Sequence, residues 1–145
     1  MHGDVVTPEQ IIAEARLWLG VPWRHQGRTR AGVDCAGLVV MVARSLRLAD
    51  YDATGYSRRA SGFDFVRHFQ AAMQSVRVAE VQPGDVLVFA DGAYPCHCGF
   101  LTLWQDHPHL IHAHVSRRQV VEEPYLGEWP GSVRFAFRFH GIMGG

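Results

Sequence analysis

Residues 32–40, GVDCAGLVV, place a cysteine between an aspartate and a run of apolar side chains. The pattern predicts a helix over residues 34–48, with Asp34 as its N-cap, because an aspartate oxygen accepts hydrogen bonds from first-turn backbone N–H groups. One face of this helix is continuously apolar and consists of Leu38, Val39, Val42 and Leu46. The helix is therefore expected to pack into the core and to hold Cys35 in its first turn.

Cys35 has two interpretations at this position. The unpaired N–H groups and the positive dipole end of a helix stabilise a thiolate, which favours a reactive nucleophile. The same N–H groups can hold the oxyanion that forms when a thiolate attacks a carbonyl. Cysteine is also a common buried residue, so the position alone fits a structural role as well.

The residues before this helix predict another helix and a loop. The first helix covers residues 7–19, TPEQIIAEARLWL, and the loop covers residues 20–33. Thr7 and Gln10 have the spacing of a capping box, and Gly20 ends the apolar pattern. The N-terminal part of the chain is therefore helical.

The chain after the second helix changes from helix to strand. A linker runs through Tyr56, and Ser61 and Asp64 predict the start of a third helix with Phe65, Phe69 and Met73 on its apolar face. Strands are predicted over residues 86–90, 97–104, 110–115, 119–123 and 132–140, with loops at 91–96 and 105–109. Alternation in the last strand places Val133, Phe135, Phe137 and Phe139 on one face.

This order of elements predicts an α+β fold in which N-terminal helices pack on a C-terminal antiparallel sheet of about five strands. Residues 1–145 are expected to form a single domain, because a chain of this length buries enough surface for one core.

Composition and charge exclude several classes of protein. Fourteen basic and fourteen acidic residues cancel, so no positive field favours nucleic acid. No apolar segment is long enough to insert into a membrane. The N-terminal residues lack the pattern of a signal peptide, which predicts synthesis in the cytoplasm. Three cysteines do not make a disulfide framework.

Two histidines in predicted strands are candidate partners for the thiol. His97 opens one strand and His112 lies within the next, where an unpaired polar side chain is costly. Neighbouring antiparallel strands bring such side chains together on one face, and an imidazole can take and return the proton of a thiol. His112 is expected to fix the orientation of His97, with His114 as the competing residue on the same face.

A metal site is not expected around Cys96, His97 and Cys98. Zinc ligands usually come in separated pairs, whereas these three residues are consecutive and alternate between the faces of a strand. The sequence predicts no metal and no organic cofactor.

Five motifs in order resemble the NlpC-type cell-wall peptidases, which are papain-like cysteine hydrolases. They are ARLWLGVPWRHQG at 15–27, VDCAGLV at 33–39, PGDVLVF at 83–89, HCGFL at 97–101 and LIHAHV at 110–115. The resemblance covers nearly the whole chain. The PWRHQG loop and the aromatic C-terminal strand look most like the branch encoded by tailed phages and gene-transfer particles.

The resemblance implies a role for each matching residue. Cys35 is the nucleophile, His97 the general base and then acid, and His112 the residue that orients His97. Asp34 is expected to bind substrate through the free amine of a stem peptide. Trp23 stands where many relatives carry a cleft tyrosine, and Ala36 replaces a frequent serine; His25 and Gln26 are expected to border the cleft.

The resemblance thus implies a cysteine peptidase that cleaves an amide bond in peptidoglycan stem peptides, usually the bond between D-glutamate and a diamino acid. Such a protein would act at the cell wall, in this branch as part of a virion or particle tail with tail proteins as partners. Two alternatives remain open at the level of sequence. One is an effector amidase delivered between bacteria, and the other is a structural tail-tip component with a vestigial site.

Overall fold

The computed structural model describes residues 6–48, 64–91 and 94–141. The predicted linker through Tyr56 and the predicted helix opening at Ser61 lie outside the described residues. Within the described part of the chain, no helix combines the length and the apolar character needed to cross a membrane.

The first two helices begin where their caps predict. Helix α1 covers Pro8–Arg16, and the Thr7 hydroxyl accepts from the Gln10 backbone N–H while the Gln10 side chain accepts from the Thr7 backbone N–H. Helix α2 covers Cys35–Ser45, α3 covers Asp64–Ala72, and a short α4 covers Trp129–Ser132. The first two helices are shorter than predicted, because their last apolar residues continue into turns.

Six strands form one antiparallel sheet: β3 (Gln74–Val76), β4 (Val86–Asp91), β5 (Tyr94–Trp104), β6 (His107–His114), β7 (Gln119–Pro124) and β8 (Val133–Arg138). Their order in the sheet is β3-β8-β4-β5-β6-β7. A separate hairpin, β1 (Arg28–Thr29) with β2 (Gly32–Val33), precedes α2. The α+β class is confirmed. The sheet has six strands where about five were expected, because the short β3 was not predicted.

The two faces of the sheet support different clusters. Helices α1, α2 and α3 pack on the face that carries Val88, Phe100 and Ile111, which together with the apolar sides of these helices form the main core. The opposite face carries a smaller cluster around Leu101 and Leu110. Cys35 belongs to the main core, so α2 lies against the first of these faces.

Three sequence predictions about the strands are wrong. The loop expected at 91–96 is largely strand, since β5 begins at Tyr94. The loop expected at 105–109 is a tight turn at Gln105 and Asp106, with φ of 52° and 65°. Positive φ angles at both turn residues are typical of a two-residue hairpin, in which glycine is the usual residue. Neither residue of this turn is a glycine.

The third correction concerns the face of Val133. The pairing of β4 with β8 shifts register between Val88 and Phe89, so Val88 lies opposite Phe135 and Phe89 opposite Val133. One extra residue in β8 turns Val133 toward the smaller cluster, whereas Phe135 and the two phenylalanines after it face the main core.

Candidate active site

Cys35 occupies the first turn of α2, as predicted. Asp34 caps the helix, accepting from the Gly37 backbone N–H at 2.8 Å, and the thiol side chain is nearly buried, with the residue 8% exposed. A Cβ at Gly37 would collide with the carbonyl oxygen of Gly27, so only glycine lets the loop pack this closely against the helix start. The motif therefore fixes the tip of the helix against the preceding loop.

The second oxygen of Asp34 holds that loop. Asp34 Oδ2 accepts from the Gln26 backbone N–H at 2.7 Å, while Arg28 Nη1 lies 3.3 Å from Oδ1. His25 Nδ1 lies 4.0 Å from Oδ2, and the His25 ring stacks on Trp23 with the ring centroids 6.5 Å apart. The residues predicted to border the cleft are thus gathered around one buried carboxylate.

The imidazoles of His97 and His112 are in direct contact. His97 Nε2 and His112 Nδ1 are 2.6 Å apart, which is a hydrogen bond between the two rings. His114, the competing residue, has its ring centroid 5.1 Å from that of His97 but pairs through Nδ1 with the Ser116 hydroxyl at 2.6 Å. His112 is therefore the direct partner of His97.

Glu123 extends this chain of contacts and was not identified from the sequence. Its Oε2 accepts from His112 Nε2 at 2.7 Å, and its Oε1 accepts from Arg117 Nη2 at 3.2 Å. In β7, Val121 lies opposite His112, so Glu123 is the diagonal neighbour of the histidine. Strand parity puts Glu123 on the correct face, but the register of the β6–β7 pair was needed to place it beside His112.

Burial and neighbouring rings keep both imidazoles neutral. Desolvation lowers the pKa of His97 well below its ordinary value, and His112 and His114 add to the effect. Desolvation also lowers the pKa of His112, which the hydrogen bond from His112 to Glu123 partly offsets, leaving a value of about 4. The resting site at neutral pH therefore holds neutral imidazoles.

Aromatic side chains enclose the rings on their side of the sheet. The centroid of Trp129 lies 5.7 Å from that of His97 and 5.1 Å from that of His112, and Phe89 is 6.0 Å from His97. Because α4 begins at Trp129, this short helix, absent from the sequence prediction, supplies a wall of the imidazole pocket.

The thiol and the imidazoles lie on different faces of the sheet: Cys35 packs in the main core, whereas His97 contacts Phe89 of the smaller cluster. Cys35 lies against Cys98, the residue next to His97, and both cysteines are free thiols. Backbone pairing between β5 and β6 runs from Trp104 only as far as Phe100, three residues short of His97. Among the described residues, the two strands are joined beyond that point by the side-chain bond of His97 to His112.

No group of three or more histidine, cysteine or acidic side chains within the described ranges is arranged to hold a metal ion. The polar contacts of the site are instead hydrogen bonds and ion pairs among its own residues.

A helix-tip cysteine packed on an antiparallel sheet that carries linked imidazoles is the architecture of a papain-like α+β domain. Residues 20–134 match the family model described as the NlpC/P60 family. The chain belongs to the NlpC/P60 family, which confirms the resemblance drawn from the five motifs.

Individual relatives are distant in sequence but similar in structure. The chain is 24% identical over 125 residues to the Escherichia coli protein named murein DD-endopeptidase MepS/murein LD-carboxypeptidase. That match covers 84% of this chain and 59% of the relative, so the chain spans about three-fifths of the length of the curated relatives it matches.

Solved structures share the fold. The NlpC/P60 domain of the peptidoglycan hydrolase SagA has a TM-score of 0.65 at 22% identity, covering 92% of this chain and 100% of that domain. An NlpC/P60 family protein from Bacillus cereus has a TM-score of 0.70 at 18% identity, covering 94% of this chain and 41% of that protein. RipB from Mycobacterium tuberculosis, a peptidoglycan hydrolase, has a TM-score of 0.59 at 21% identity, covering 90% and 63%.

Proposed function

We propose that this protein is a cysteine peptidase that hydrolyses amide bonds in peptidoglycan stem peptides. The observation that carries the proposal is the 2.6 Å bond between His97 and His112, on a strand whose Cys98 lies against Cys35 at the N-terminal end of α2. Membership of the NlpC/P60 family and the peptidoglycan hydrolases among the structural relatives support the same substrate class.

In the proposed mechanism, the Cys35 sulfur attacks the amide carbonyl after His97 has taken the thiol proton. The backbone N–H groups in the first turn of α2 hold the oxyanion, because helix N-termini present unsatisfied donors. His97 then gives its proton to the leaving amine as the C–N bond breaks. Water, deprotonated by the same ring, hydrolyses the thioester and frees Cys35.

This mechanism requires the thiol and the His97 ring to meet across the sheet. Cys35 already contacts Cys98, and the backbone ladder between β5 and β6 ends before it reaches His97. We propose that the thiol reaches the imidazole where that ladder ends. In this proposal, packing against Cys98 fixes how far the Cys35 side chain extends toward the sheet.

The proposed substrate bond joins D-glutamate to a diamino acid, with the free amine of the stem peptide near Asp34. Asp34 is 3% exposed and already accepts from Gly37 and Gln26. A carboxylate oxygen accepts more than one hydrogen bond, so an amine can share the charge that fixes the loop. The stacked rings of Trp23 and His25 supply the adjoining wall.

The reaction is tested with purified sacculi incubated under reducing conditions and analysed by mass spectrometry of the released peptides. The wild-type protein should release stem-peptide fragments, and Cys35→Ala, His97→Gln and His112→Gln should not. His107→Gln is the matched control, because His107 is exposed at the start of β6. Folded wild-type protein that releases nothing would refute the proposal.

The same spectra identify the bond. Released fragments that begin with the diamino acid support the proposed specificity, because the D-glutamate end stays attached to the glycan. Cleavage between D-amino acids would instead agree with the name of the Escherichia coli relative, murein DD-endopeptidase.

We also propose that the protein acts at the cell wall as a component of a phage-type tail. The form of the PWRHQG loop and the aromatic C-terminal strand support this location. Particles purified with Cys35→Ala should assemble normally and fail to open the wall locally. Absence of the protein from purified particles would refute the tail assignment without affecting the hydrolase.

A further inference from the structure

The contacts of His112 determine which of its nitrogens carries the proton. Glu123 Oε2 lies 2.7 Å from His112 Nε2. Burial raises the pKa of Glu123, but the hydrogen bonds from His112 and Arg117 lower it by more than burial raises it. The pKa of Glu123 is therefore below its ordinary value. Glu123 is therefore an ionised carboxylate at neutral pH, and an ionised carboxylate only accepts hydrogen bonds.

His112 must consequently donate from Nε2. Because neutral imidazole carries one proton, His112 Nδ1 is left as an acceptor. The partner of that acceptor is His97 Nε2 at 2.6 Å, so His97 must donate from Nε2. The remaining nitrogen of His97, Nδ1, is then the unprotonated one.

We propose that Glu123 is a positioning residue that fixes the tautomers of His112 and His97, so that Nδ1 of His97 is the basic nitrogen offered to the thiol. The role rests on the proposed function, but the tautomers themselves exist whether or not a substrate is turned over. Glu123 acts through His112 and does not touch the reacting atoms.

Arg117 holds the carboxylate of Glu123 in place. Its Nη2 lies 3.2 Å from Oε1, the oxygen that does not bind His112. Two other titratable groups lie near the rings. A charge on His114 of β6 would oppose protonation of either ring, and Glu128 raises the pKa of His114. Glu123 is the acidic group among them that is hydrogen-bonded to a ring of the pair.

The neighbouring glutamate provides a matched control. Glu122 points to the opposite face of β7, where it accepts from Arg16 at 2.9 Å and from the Thr102 hydroxyl at 2.7 Å. Glu122→Gln therefore makes the same chemical change in the same strand without touching the imidazoles. Thermal unfolding of both variants shows that each is folded before it is assayed.

The first test measures tautomers directly. Long-range nitrogen–proton correlation spectra of histidine-labelled protein near neutral pH should show protons on Nε2 of both His112 and His97. In Glu123→Gln, whose amide can donate as well as accept, a population with His112 protonated on Nδ1 should appear. Glu122→Gln should leave both rings unchanged.

The second test measures kinetics. Glu123→Gln should lower kcat about tenfold to a hundredfold with little change in KM, the usual scale for losing the partner that orients a functional histidine. Removal of the negative charge also destabilises the His97 imidazolium and so lowers the pKa of His97. Because His97 must be neutral to take the thiol proton, the acid limb of the kcat/KM profile should move to lower pH. Glu123→Asp, which still only accepts, should recover part of kcat.

The outcomes separate the two proposals. Wild-type protein with His112 protonated on Nδ1, or Glu123→Gln with unchanged tautomers and pH profile, overturns the role of Glu123 even if the enzyme is active. A loss of kcat matched by Glu122→Gln overturns it as well. If the tautomers are as expected but the protein cleaves no stem peptide, the role of Glu123 in fixing the rings is supported and the proposed function is refuted.

Discussion

Cys35 and Cys98 are two cysteines that lie against each other in different surroundings. Cys98 is fully buried in the core, whereas Cys35, at the N-terminal end of a helix, is 8% exposed. Burial raises the pKa of Cys98 well above its ordinary value, and the neighbouring Cys35 raises it further. Of these two thiols, Cys35 is therefore the one that reagents in solution reach more readily.

Alkylation should report this difference. With iodoacetamide near neutral pH, Cys35 should be modified faster than Cys98, as followed by peptide mapping and mass spectrometry over time. In Cys35→Ala, modification of Cys98 should remain slow as long as the protein is folded. Equal labelling of the two thiols in folded protein would contradict an activated nucleophile.

Asp34 combines a helix cap and a loop anchor in one carboxylate. Asp34→Asn keeps an acceptor for Gly37 but replaces the oxygen that accepts from Gln26 with a donor. A buried donor left without its acceptor costs about 1–3 kcal/mol, so the free energy of unfolding measured with urea should fall by that amount. Asp106→Asn, in an exposed turn at φ 65°, is the control and should be nearly neutral.

At the scale of elements, the β5–β6 pair positions the two histidines through a glycine. A Cβ on Gly99 would lie 2.8 Å from the Cβ of His112 and 2.9 Å from the carbonyl oxygen of Ile111. These distances are too short for any side chain, so the close approach of the strands depends on glycine. The HCGFL motif thus specifies the spacing between the elements as well as the histidine.

Gly99→Ala should therefore push β6 away from β5 and displace His112. We expect a loss of about 1–3 kcal/mol in the free energy of unfolding, the usual cost of overpacking. We also expect a larger loss of kcat than stability alone explains, because the His97–His112 bond is stretched. Gly131→Ala is the control, since a Cβ there meets nothing within 4 Å; equal activity of the two variants would show that the spacing is not critical.

The elements predicted correctly were those whose signals are local. The capping box of α1 and the Asp34 cap of α2 involve residues three apart in sequence, and both form as expected. The turn at Gln105 and Asp106 was missed because it lacks the glycine that usually marks this backbone geometry. Strand β3 and helix α4 were missed because each is short and is held by tertiary contacts.

At the scale of the whole molecule, folding holds two imidazoles neutral in partly dry surroundings. His112 has a pKa of about 4 in the folded protein, against 6.5 as a reference for the unfolded chain. The pKa of His97 is also lowered, chiefly by desolvation. The unfolded chain therefore binds more protons than the folded protein below pH 6.5.

This difference predicts destabilisation by mild acid. The contribution of the neutral histidines is fully present above pH 6.5 and is lost as the pH falls toward about 4. Each such histidine should add a slope of about 1.4 kcal/mol per pH unit to the free energy of unfolding within this window.

Urea titrations at a series of pH values measure the slope. His112→Gln removes one of the titrating groups, so its profile should be flatter than that of the wild type. A wild-type profile that is flat between neutral pH and about 4 would show that the rings protonate without cost in the folded protein.

The sequence by itself determined the family, the α+β class and the candidates Cys35, His97 and His112. It did so because caps, glycines and motif order are local features that can be identified without knowing the fold. The contacts of Asp34 with Gln26 and Arg28 come from the fold of the preceding loop, which the sequence showed only as irregular.

Tertiary structure alone decided which groups surround those candidates. Glu123 reaches His112 because the β6–β7 register makes them diagonal neighbours, and Trp129 covers the rings because α4 returns over the sheet. The bulge in β8 likewise moved Val133 to the opposite face. Register and bulges depend on how the strands pair across the whole sheet, and no local sequence pattern encodes them. A shift of one residue therefore changes which side chains meet.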